Sequence, residues 1–228
     1  MHGGPEMNSE FPPALFITGT DTEVGKTVVS AILVAGLTAE YWKPVQSGSD
    51  AGTDTAWIKE KTGLPDSFFH PEMYILSHFL SPHAAAFREG IRIDISAMTA
   101  PTRRQSSHLI IEGAGGILTP LTETETMADL IIHLHIPVLL VARSGLGTIN
   151  HTLLSLEKLR RIGADVLGVV MNGPQDPENR KAIETFGNIR VCAEIGPIPE
   201  ISPESLSETF RSCFRLCELA LDISKRYR

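Results

Sequence analysis

The residues best suited to chemistry form one run, Gly19-Thr-Asp-Thr-Glu-Val-Gly25-Lys26-Thr27. The run follows an apolar stretch and opens a helical pattern, as a phosphate-binding loop does. In such a loop, backbone N–H groups and the start of the helix surround phosphate oxygens. In a loop of this kind Gly25 would let the chain approach the anion, Lys26 would reach the β- and γ-phosphates, and Thr27 would offer its hydroxyl to Mg²⁺. Five residues separate the glycines where the usual pattern has about four, so the sequence predicts a lengthened variant of this loop.

Two carboxylates are candidates for the metal that a phosphate loop needs. Glu112 ends the apolar run Leu109–Ile111 and precedes Gly113-Ala-Gly-Gly116, and Asp54 lies at a predicted helix start. Glu112 could instead be a strand-end carboxylate that only makes contacts within a turn. Asp54 could instead be an ordinary helix N-cap. The residue types leave both alternatives open.

A third candidate is Lys43, in the segment Trp42-Lys-Pro-Val-Gln-Ser-Gly48. A lysine at the carboxyl end of a short strand beside the phosphate loop points toward the same crevice, although a solvated lysine at a sheet edge is the alternative. Ser47 is a weaker candidate in the loop that follows. We interpret Ser81-Pro-His83 as a turn that starts a helix, with a structural and not a catalytic role for His83.

Short apolar runs alternate with helical patterns along the chain. Strands are predicted at Ala14–Thr18, Tyr41–Val45, Leu109–Glu112, Pro137–Ala142, Val166–Met171 and Arg190–Ile195, and helices at Thr27–Ala39, Thr148–Ile162 and Glu204–Lys225. Continuous apolar strands separated by helices indicate a doubly wound α/β fold, a mainly parallel sheet with helices on both faces. The site of such a sheet lies beyond the carboxyl ends of its strands. Glycines and polar residues follow three strands there, at Gly19–Thr27, Gly113–Gly116 and Ser144–Asn150.

Length and composition set the remaining expectations. A chain of 228 residues with 42% hydrophobic residues predicts one domain, from 14 to 228, after a loose polar leader at 1–13. The net charge of -7 argues against nucleic-acid binding, and no apolar run reaches the roughly 18 residues of a membrane span. The cysteines Cys192, Cys213 and Cys217 match no zinc spacing and are predicted to be free thiols in a reducing cytoplasm.

Several segments together resemble the dethiobiotin synthetase family. They are Phe16–Thr27, Trp42–Gly48, Ser81-Pro-His83, Glu112–Gly116 and Gly145-Leu-Gly-Thr-Ile-Asn-His151. They occur in the family's order between about residues 14 and 200, and the lengthened phosphate loop is itself a feature of the family. The resemblance implies a P-loop NTPase fold and an ATP- and Mg²⁺-dependent ligase of biotin biosynthesis. That ligase converts 7,8-diaminopelargonic acid and CO₂ into dethiobiotin.

The resemblance also implies site residues, a homodimer with its sites at the interface, and a cytoplasmic enzyme. Catalysis is expected of Lys43, Lys26 and Thr22, and metal binding of Thr27, Asp54 and Glu112. ATP contacts are expected of Glu23, Val24, Gly25, Lys26, Thr27, Val28, Asp54, Glu112, Gly113, Ala114, Gly115, Asn172, Gly173, Gly196, Pro197 and Ile198. Substrate contacts are expected of Thr22, Lys43, Ser47, Gly145, Gly147 and Asn150.

Departures from the family bear on the nucleotide base. Gly173 follows Asn172 where an acidic residue is common, and Gly196 separates Ile195 from Pro197.

The rival function classes are a partition or nitrogenase-iron type of ATPase and a nucleotide-dependent interaction module. A partition-type loop carries an additional early lysine, where this chain has Thr20 and Asp21. A third rival, a corrinoid ligase, would bring a glutaminase domain for which the chain has no room.

Overall fold

The computed structural model describes residues 11–214. Its strands are β1 (Ala14–Gly19), β2 (Glu40–Trp42), β3 (Val45–Ser47), β4 (Phe69–His70), β5 (Tyr74–Leu76), β6 (Leu109–Gly116), β7 (Val138–Arg143), β8 (Val166–Asn172) and β9 (Val191–Ile195). Seven of them form one sheet in the order β4-β2-β6-β1-β7-β8-β9. Every neighbouring pair in this sheet is parallel, so all its strands end at the same edge.

Helices cover both faces of the sheet. They are α1 (Lys26–Leu37), α2 (Asp54–Thr62), α3 (Pro82–Glu89), α4 (Met127–Leu134), α5 (Thr148–Arg161), α6 (Pro177–Gly187) and α7 (Pro203–Cys213). Neighbouring residues of β1 separate the two layers: Leu15 and Ile17 pack with α1, α2 and α7, whereas Phe16 packs with α3 to α6. This is the side-chain alternation of a strand buried on both faces. The predicted doubly wound α/β fold is therefore confirmed.

Strand order positions the site. Because β6 lies between β1 and β2, the segments that follow β1 and β2 reach the end of β6 from its two sides. The phosphate loop follows β1, and the segment with Lys43 follows β2. The sheet therefore brings together two stretches of chain that are separated by α1 in the sequence.

The single strand predicted over Tyr41–Val45 is wrong. The chain leaves the main sheet after Trp42, and β3 pairs instead with β5 in a separate two-stranded sheet. Pro44 stands at the break. Its missing N–H cannot continue a ladder of strand hydrogen bonds, which explains the change of sheet.

The ends of the chain agree only partly with the expectations. The helix predicted from Glu204 to Lys225 begins at Pro203 and is described as far as Cys213, and the remainder lies outside the described residues, as does Cys217. Of the expected leader, residues 1–10 lie outside them too, whereas Phe11 is buried against Phe210. Cys192 and Cys213 are free thiols. Between residues 11 and 214, no helix combines the length and apolarity that crossing a membrane requires.

Candidate active site

The phosphate loop depends on the backbone conformation of Gly25. This residue has φ 91° and precedes α1, whose first turn receives no side-chain cap from it. The uncapped N–H groups are thus available to an anion. A Cβ atom at position 25 would lie 2.0 Å from Asn172 Nδ2. Glycine is therefore required here both by the left-handed backbone and by the close packing of β8 against the loop.

Lys26 is held inside this loop. Its side chain is buried, and its ammonium donates a hydrogen bond to the Asp21 carbonyl at 3.0 Å. Burial lowers the pKa of Lys26 from 10.5 to about 8, and the positive charge of Lys43 acts in the same direction, while Glu112 opposes them. The charge on Lys26 is accordingly held in an unfavourable environment that a phosphate would improve.

Glu112 is the centre of the polar cluster. It lies within β6 and is 0% exposed. One carboxylate oxygen, Oε1, accepts hydrogen bonds from Thr27 Oγ1 and Lys43 Nζ, both at 2.9 Å, and the other, Oε2, accepts one from the Tyr41 hydroxyl at 3.0 Å. None of these contacts belongs to a turn. The alternative interpretation of Glu112 as a turn residue is therefore wrong.

Asp54 faces the same cluster. Thr53 caps α2 by accepting from the Ala56 N–H at 3.1 Å, so the interpretation of Asp54 as the cap is wrong. The Asp54 N–H instead donates to Gln46 Oε1 at 3.0 Å, which ties the start of α2 to β3. This leaves the Asp54 carboxylate free to contact Lys43 Nζ.

Lys43 bridges the two carboxylates. It is 4% exposed, so the interpretation as a solvated edge lysine is wrong. Burial alone would lower the pKa of Lys43, but the negative charges of Glu112 and Asp54 outweigh burial and raise it. Lys43 is thus a fixed positive charge. Burial and the charge of Glu112 also raise the pKa of Tyr41 well above its usual value, so its phenol stays protonated.

The residues expected to contact the nucleotide base lie at the ends of β8 and β9. Asn172 ends β8, and its side-chain amide donates to the Val24 carbonyl at 3.1 Å. Gly173 packs closely on the Ser144 hydroxyl, which a Cβ atom would approach to 2.5 Å. Gly196 is open on its Cβ side, and Pro197 is exposed. Ile198 packs partly against the core.

At the glycine-rich end of β6, Gly113, Ala114 and Gly115 each contact different neighbours. A Cβ atom on Gly113 would lie 3.0 Å from the Phe16 ring, and Ala114 is buried in the core. Gly115 has φ 63° and faces the Thr119 side chain. These residues continue β6 beyond Glu112, and their predicted nucleotide contacts stay predictions.

The expected substrate residues are divided between two places. Ser47 ends β3, and no hydrogen-bond partner for its buried Oγ is found among residues 11–214. Thr22 is exposed on the phosphate loop. The predicted substrate loop is exposed as well, with Gly145, Gly147 and Asn150 at the surface before and within the first turn of α5.

Sequence reasoning missed residues that support the cluster. Tyr41 donates to Glu112, and Gln46 holds the start of α2. Outside the cluster, Arg143 of β7 pairs with Asp21 of the phosphate loop at 2.9 Å. Only Tyr41 left a signal that could have been used. It precedes Lys43 by two residues on an extended segment, so both side chains point to the same side of the sheet.

A cavity of about 470 Å³ borders the phosphate loop at Thr20 and Asp21. Its other walls are the segment after β6, including Leu118, and the face of α5 with His151 and Leu154. A larger cavity of about 750 Å³ lies elsewhere, between α3 and the segment 121–125. None of the predicted site residues lines either cavity. Only the smaller of the two adjoins the phosphate loop, through Thr20 and Asp21.

Solved structures support the fold. A plasmid partition protein from Borrelia burgdorferi bound to AMPPNP is similar over 96% of this chain and all of its own, with a TM-score of 0.51 and 12% identity. The cell division ATPase MinD from Pyrococcus furiosus is similar over 94% of this chain and all of its own, with a TM-score of 0.50 and 14% identity. These likenesses show a P-loop NTPase fold and nothing finer.

Sequence comparisons give the family. The model described as an AAA domain matches residues 13–205. The ATP-dependent dethiobiotin synthetase of Paramagnetospirillum magneticum is 50% identical over 85% of this chain and 92% of its own. That of Agrobacterium fabrum is 43% identical over 89% and 94%. This level of identity extends over nearly the whole of each chain, and Lys43, Asp54 and Glu112 lie together beside the P-loop. This chain therefore belongs to the dethiobiotin synthetase family.

Proposed function

We propose that the protein is an ATP-dependent ligase that forms dethiobiotin from 7,8-diaminopelargonic acid and CO₂. One observation carries this proposal beyond nucleotide binding: a second buried lysine, Lys43, lies against two carboxylates beside the phosphate loop. An ATPase that only hydrolyses nucleotide needs a phosphate loop and metal ligands. The additional fixed charge suits a reaction in which a second anion, a carbamate, meets the γ-phosphate.

The residues present fit a magnesium ion. The Thr27 hydroxyl and the Glu112 carboxylate already share a hydrogen bond, and Lys43 links that carboxylate to Asp54. These are oxygen donors, which Mg²⁺ prefers, and a partial protein set suits an ion that keeps waters and phosphate oxygens as its other ligands. Thr27, Asp54 and Glu112 would hold the ion. When bound, it would supply positive charge that offsets the charge of the phosphate oxygens.

The proposed reaction has three bond-forming steps. One amine of the substrate takes up CO₂ as a carbamate, and a carbamate oxygen attacks the γ-phosphorus while ADP leaves. The neighbouring amine nitrogen then attacks the carbamoyl carbon, and inorganic phosphate leaves as the cyclic urea closes. Lys26 would bind the β- and γ-phosphates, and Lys43 would hold the carbamate in line with the phosphoryl group. No histidine base is required by these steps.

Substrate and nucleotide contacts complete the proposal. The Ser47 hydroxyl, which has no hydrogen-bond partner within the described part of the chain, suits a polar group of the diamine. The exposed Thr22 suits the transferred group. Asn172 and Gly173 together with Gly196, Pro197 and Ile198 would surround the adenine, at the ends of β8 and β9. The phosphates would contact the loop residues Glu23 to Val28 and the glycine-rich end of β6.

We further propose a cytoplasmic homodimer in which one subunit's Gly145–Asn150 loop reaches the substrate of the other. Support comes from exposure: Leu146 is fully exposed, and Leu154 and Leu118 are more than half exposed at the cavity beside the phosphate loop. Apolar side chains left uncovered at a site commonly mark an interface. Sedimentation of the purified protein would test the dimer, and a monomer with full activity would contradict it.

The function is tested by incubating the protein with ATP, Mg²⁺, labelled bicarbonate and the diamine. We expect label in the cyclic urea of dethiobiotin and one ADP per product molecule. Lys26→Ala should form product far more slowly, whereas Lys59→Ala, which alters an exposed ion pair with Asp66, should behave as the wild type. Steady ATP hydrolysis without the diamine, and no labelled product with it, would favour a partition-type ATPase instead.

A further inference from the structure

We propose that Tyr41 is a positioning residue that orients the Glu112 carboxylate so that one defined oxygen faces the metal. The inference rests on the proposed role of Thr27, Asp54 and Glu112 in holding magnesium. It adds a residue that the family resemblance did not supply and whose hydroxyl contacts Glu112.

The two oxygens of Glu112 have separate neighbours. Oε1 faces the phosphate loop and receives Thr27 Oγ1 and Lys43 Nζ, each at 2.9 Å. Oε2 receives the Tyr41 hydroxyl at 3.0 Å. Without a donor on its second oxygen, the carboxylate would be free to turn its plane about the Cγ–Cδ bond. A donor fixed on Oε2 restricts that rotation and keeps the other oxygen, Oε1, facing Thr27 and the phosphate loop.

Tyr41 itself is firmly held. It is 0% exposed, and its backbone pairs with Ile110 in the register between β2 and β6. Its ring packs against Phe69, with 6.4 Å between ring centroids and a tilt of 59°. The hydroxyl is therefore presented to Glu112 from a neighbouring strand with little freedom to move, as a supporting hydrogen bond to a metal ligand should be.

The chemical difference between Tyr41 and Lys43 also matters. Lys43 is a cation and occupies the same oxygen, Oε1, that a metal would approach. Tyr41 is neutral and occupies the other oxygen, so it can hold Glu112 without repelling Mg²⁺. Tyr41 thus suits the metal-bound state as well as the metal-free one.

The test is Tyr41→Phe, which keeps the ring and its packing and removes only the hydroxyl. Calorimetric titration of Mg²⁺ in the presence of ATP should show a midpoint about 10–100 times higher than for the wild type, the range seen when such supporting partners are lost. ATP binding measured in EDTA should be unchanged. Tyr74→Phe is the matched control because its hydroxyl accepts a hydrogen bond from the Asp94 N–H, outside this cluster, and its magnesium midpoint should equal that of the wild type.

A double-mutant cycle separates this role from a structural one. If Tyr41 acts through Glu112, adding Tyr41→Phe to Glu112→Gln should shift the magnesium midpoint no further. In the double variant position 112 is neutral, so loss of the Tyr41 hydroxyl removes a hydrogen bond from no buried carboxylate, and this variant provides a second sample if Tyr41→Phe alone is unstable. Independent, additive shifts would overturn the inference, as would a wild-type midpoint in folded Tyr41→Phe.

The same data distinguish this failure from that of the proposed metal site. A shifted midpoint in Glu112→Gln with none in Tyr41→Phe would overturn the role of Tyr41 alone. An unchanged midpoint in Glu112→Gln would remove Glu112 from the metal ligands and overturn the inference with it.

Discussion

Two buried lysines approach the same crevice from opposite sides of β6, and their surroundings have opposite effects on them. Lys26 follows β1, bonds to a backbone carbonyl, and has a pKa lowered to about 8 by burial. Lys43 follows β2, contacts two carboxylates, and has a raised pKa despite being more deeply buried. Burial is therefore not what distinguishes them. The distinguishing feature is whether the protein supplies the counter-charge.

The difference indicates two tasks. Among residues 11–214, no carboxylate forms an ion pair with Lys26, so a phosphate would supply the missing negative charge, and binding free energy is gained when ATP arrives. Lys43 is already neutralised by Glu112 and Asp54. It must give up at least one of these partners when another cation or a substrate anion enters. Lys26 thus suits binding of the nucleotide, whereas Lys43 suits the chemical step that follows binding.

The largest expected effect is that of Lys26→Ala. Removing the group that offsets charge on the transferring phosphoryl should lower the turnover number by about 10²–10⁵ and leave the fold intact. Dethiobiotin formation under saturating substrates measures it, with Lys59→Ala as the control for a lost surface lysine. A folded variant with near-wild-type turnover would show that the phosphate loop is misassigned.

Lys43→Gln should have the next largest effect and separates the two tasks. If Lys43 interacts with the carbamate as its oxygen attacks, both kcat and kcat/KM should fall by about 10²–10³. ATP affinity, measured by calorimetry on the same sample, should stay nearly unchanged. Equal activity in variant and wild type would mean that Lys43 is only structural. Lost ATP binding would mean that the comparison between the two lysines is wrong.

Much of this site follows from the sequence because its parts are local patterns. The phosphate loop is defined by its glycine spacing together with Lys26 and Thr27. Glu112 directly follows the three apolar residues that begin β6. The continuous apolar strands likewise predicted the two-layered helical cover. Patterns of this kind depend on neighbours in the sequence, so periodicity and turn chemistry reveal them.

What the sequence did not reveal depends on distant contacts. Whether Lys43 is solvated or buried is decided by β6 lying beside β2, a pairing between residues far apart in the chain. The two-stranded sheet of β3 and β5 was not predicted, since β5 is three residues long with little pattern. The role of Gln46 at the start of α2 required that second sheet to be known.

Replacing the two lysines should change the free energy of unfolding in opposite directions. Lys26→Met removes a charge whose burial lowers its pKa from 10.5 to about 8. It should therefore raise the free energy of unfolding at pH 7 by up to about 3 kcal/mol. Lys43→Met leaves Glu112 buried without its cation and should lower the same quantity by about 3 kcal/mol. Urea denaturation of both variants without nucleotide or metal measures this, and a change of the same sign in both would contradict the comparison.

The smallest effect is the pH dependence of the stability gained in Lys26→Met. Below pH 8 Lys26 is protonated in both the folded and the unfolded wild type, so the full cost of burying its charge is present. Between pH 8 and 10.5 the unfolded chain binds more protons at this position than the folded one, and the wild type is relieved of that cost as pH rises. The advantage of Lys26→Met should accordingly be greatest near pH 7 and shrink toward pH 10. Paired urea titrations of wild type and variant at pH 7 and about pH 9.5 measure the difference directly and cancel the titration of all other groups. An advantage that stays constant over this range would show that Lys26 loses no proton there, and that its counter-charge is supplied by the protein after all, as it is for Lys43.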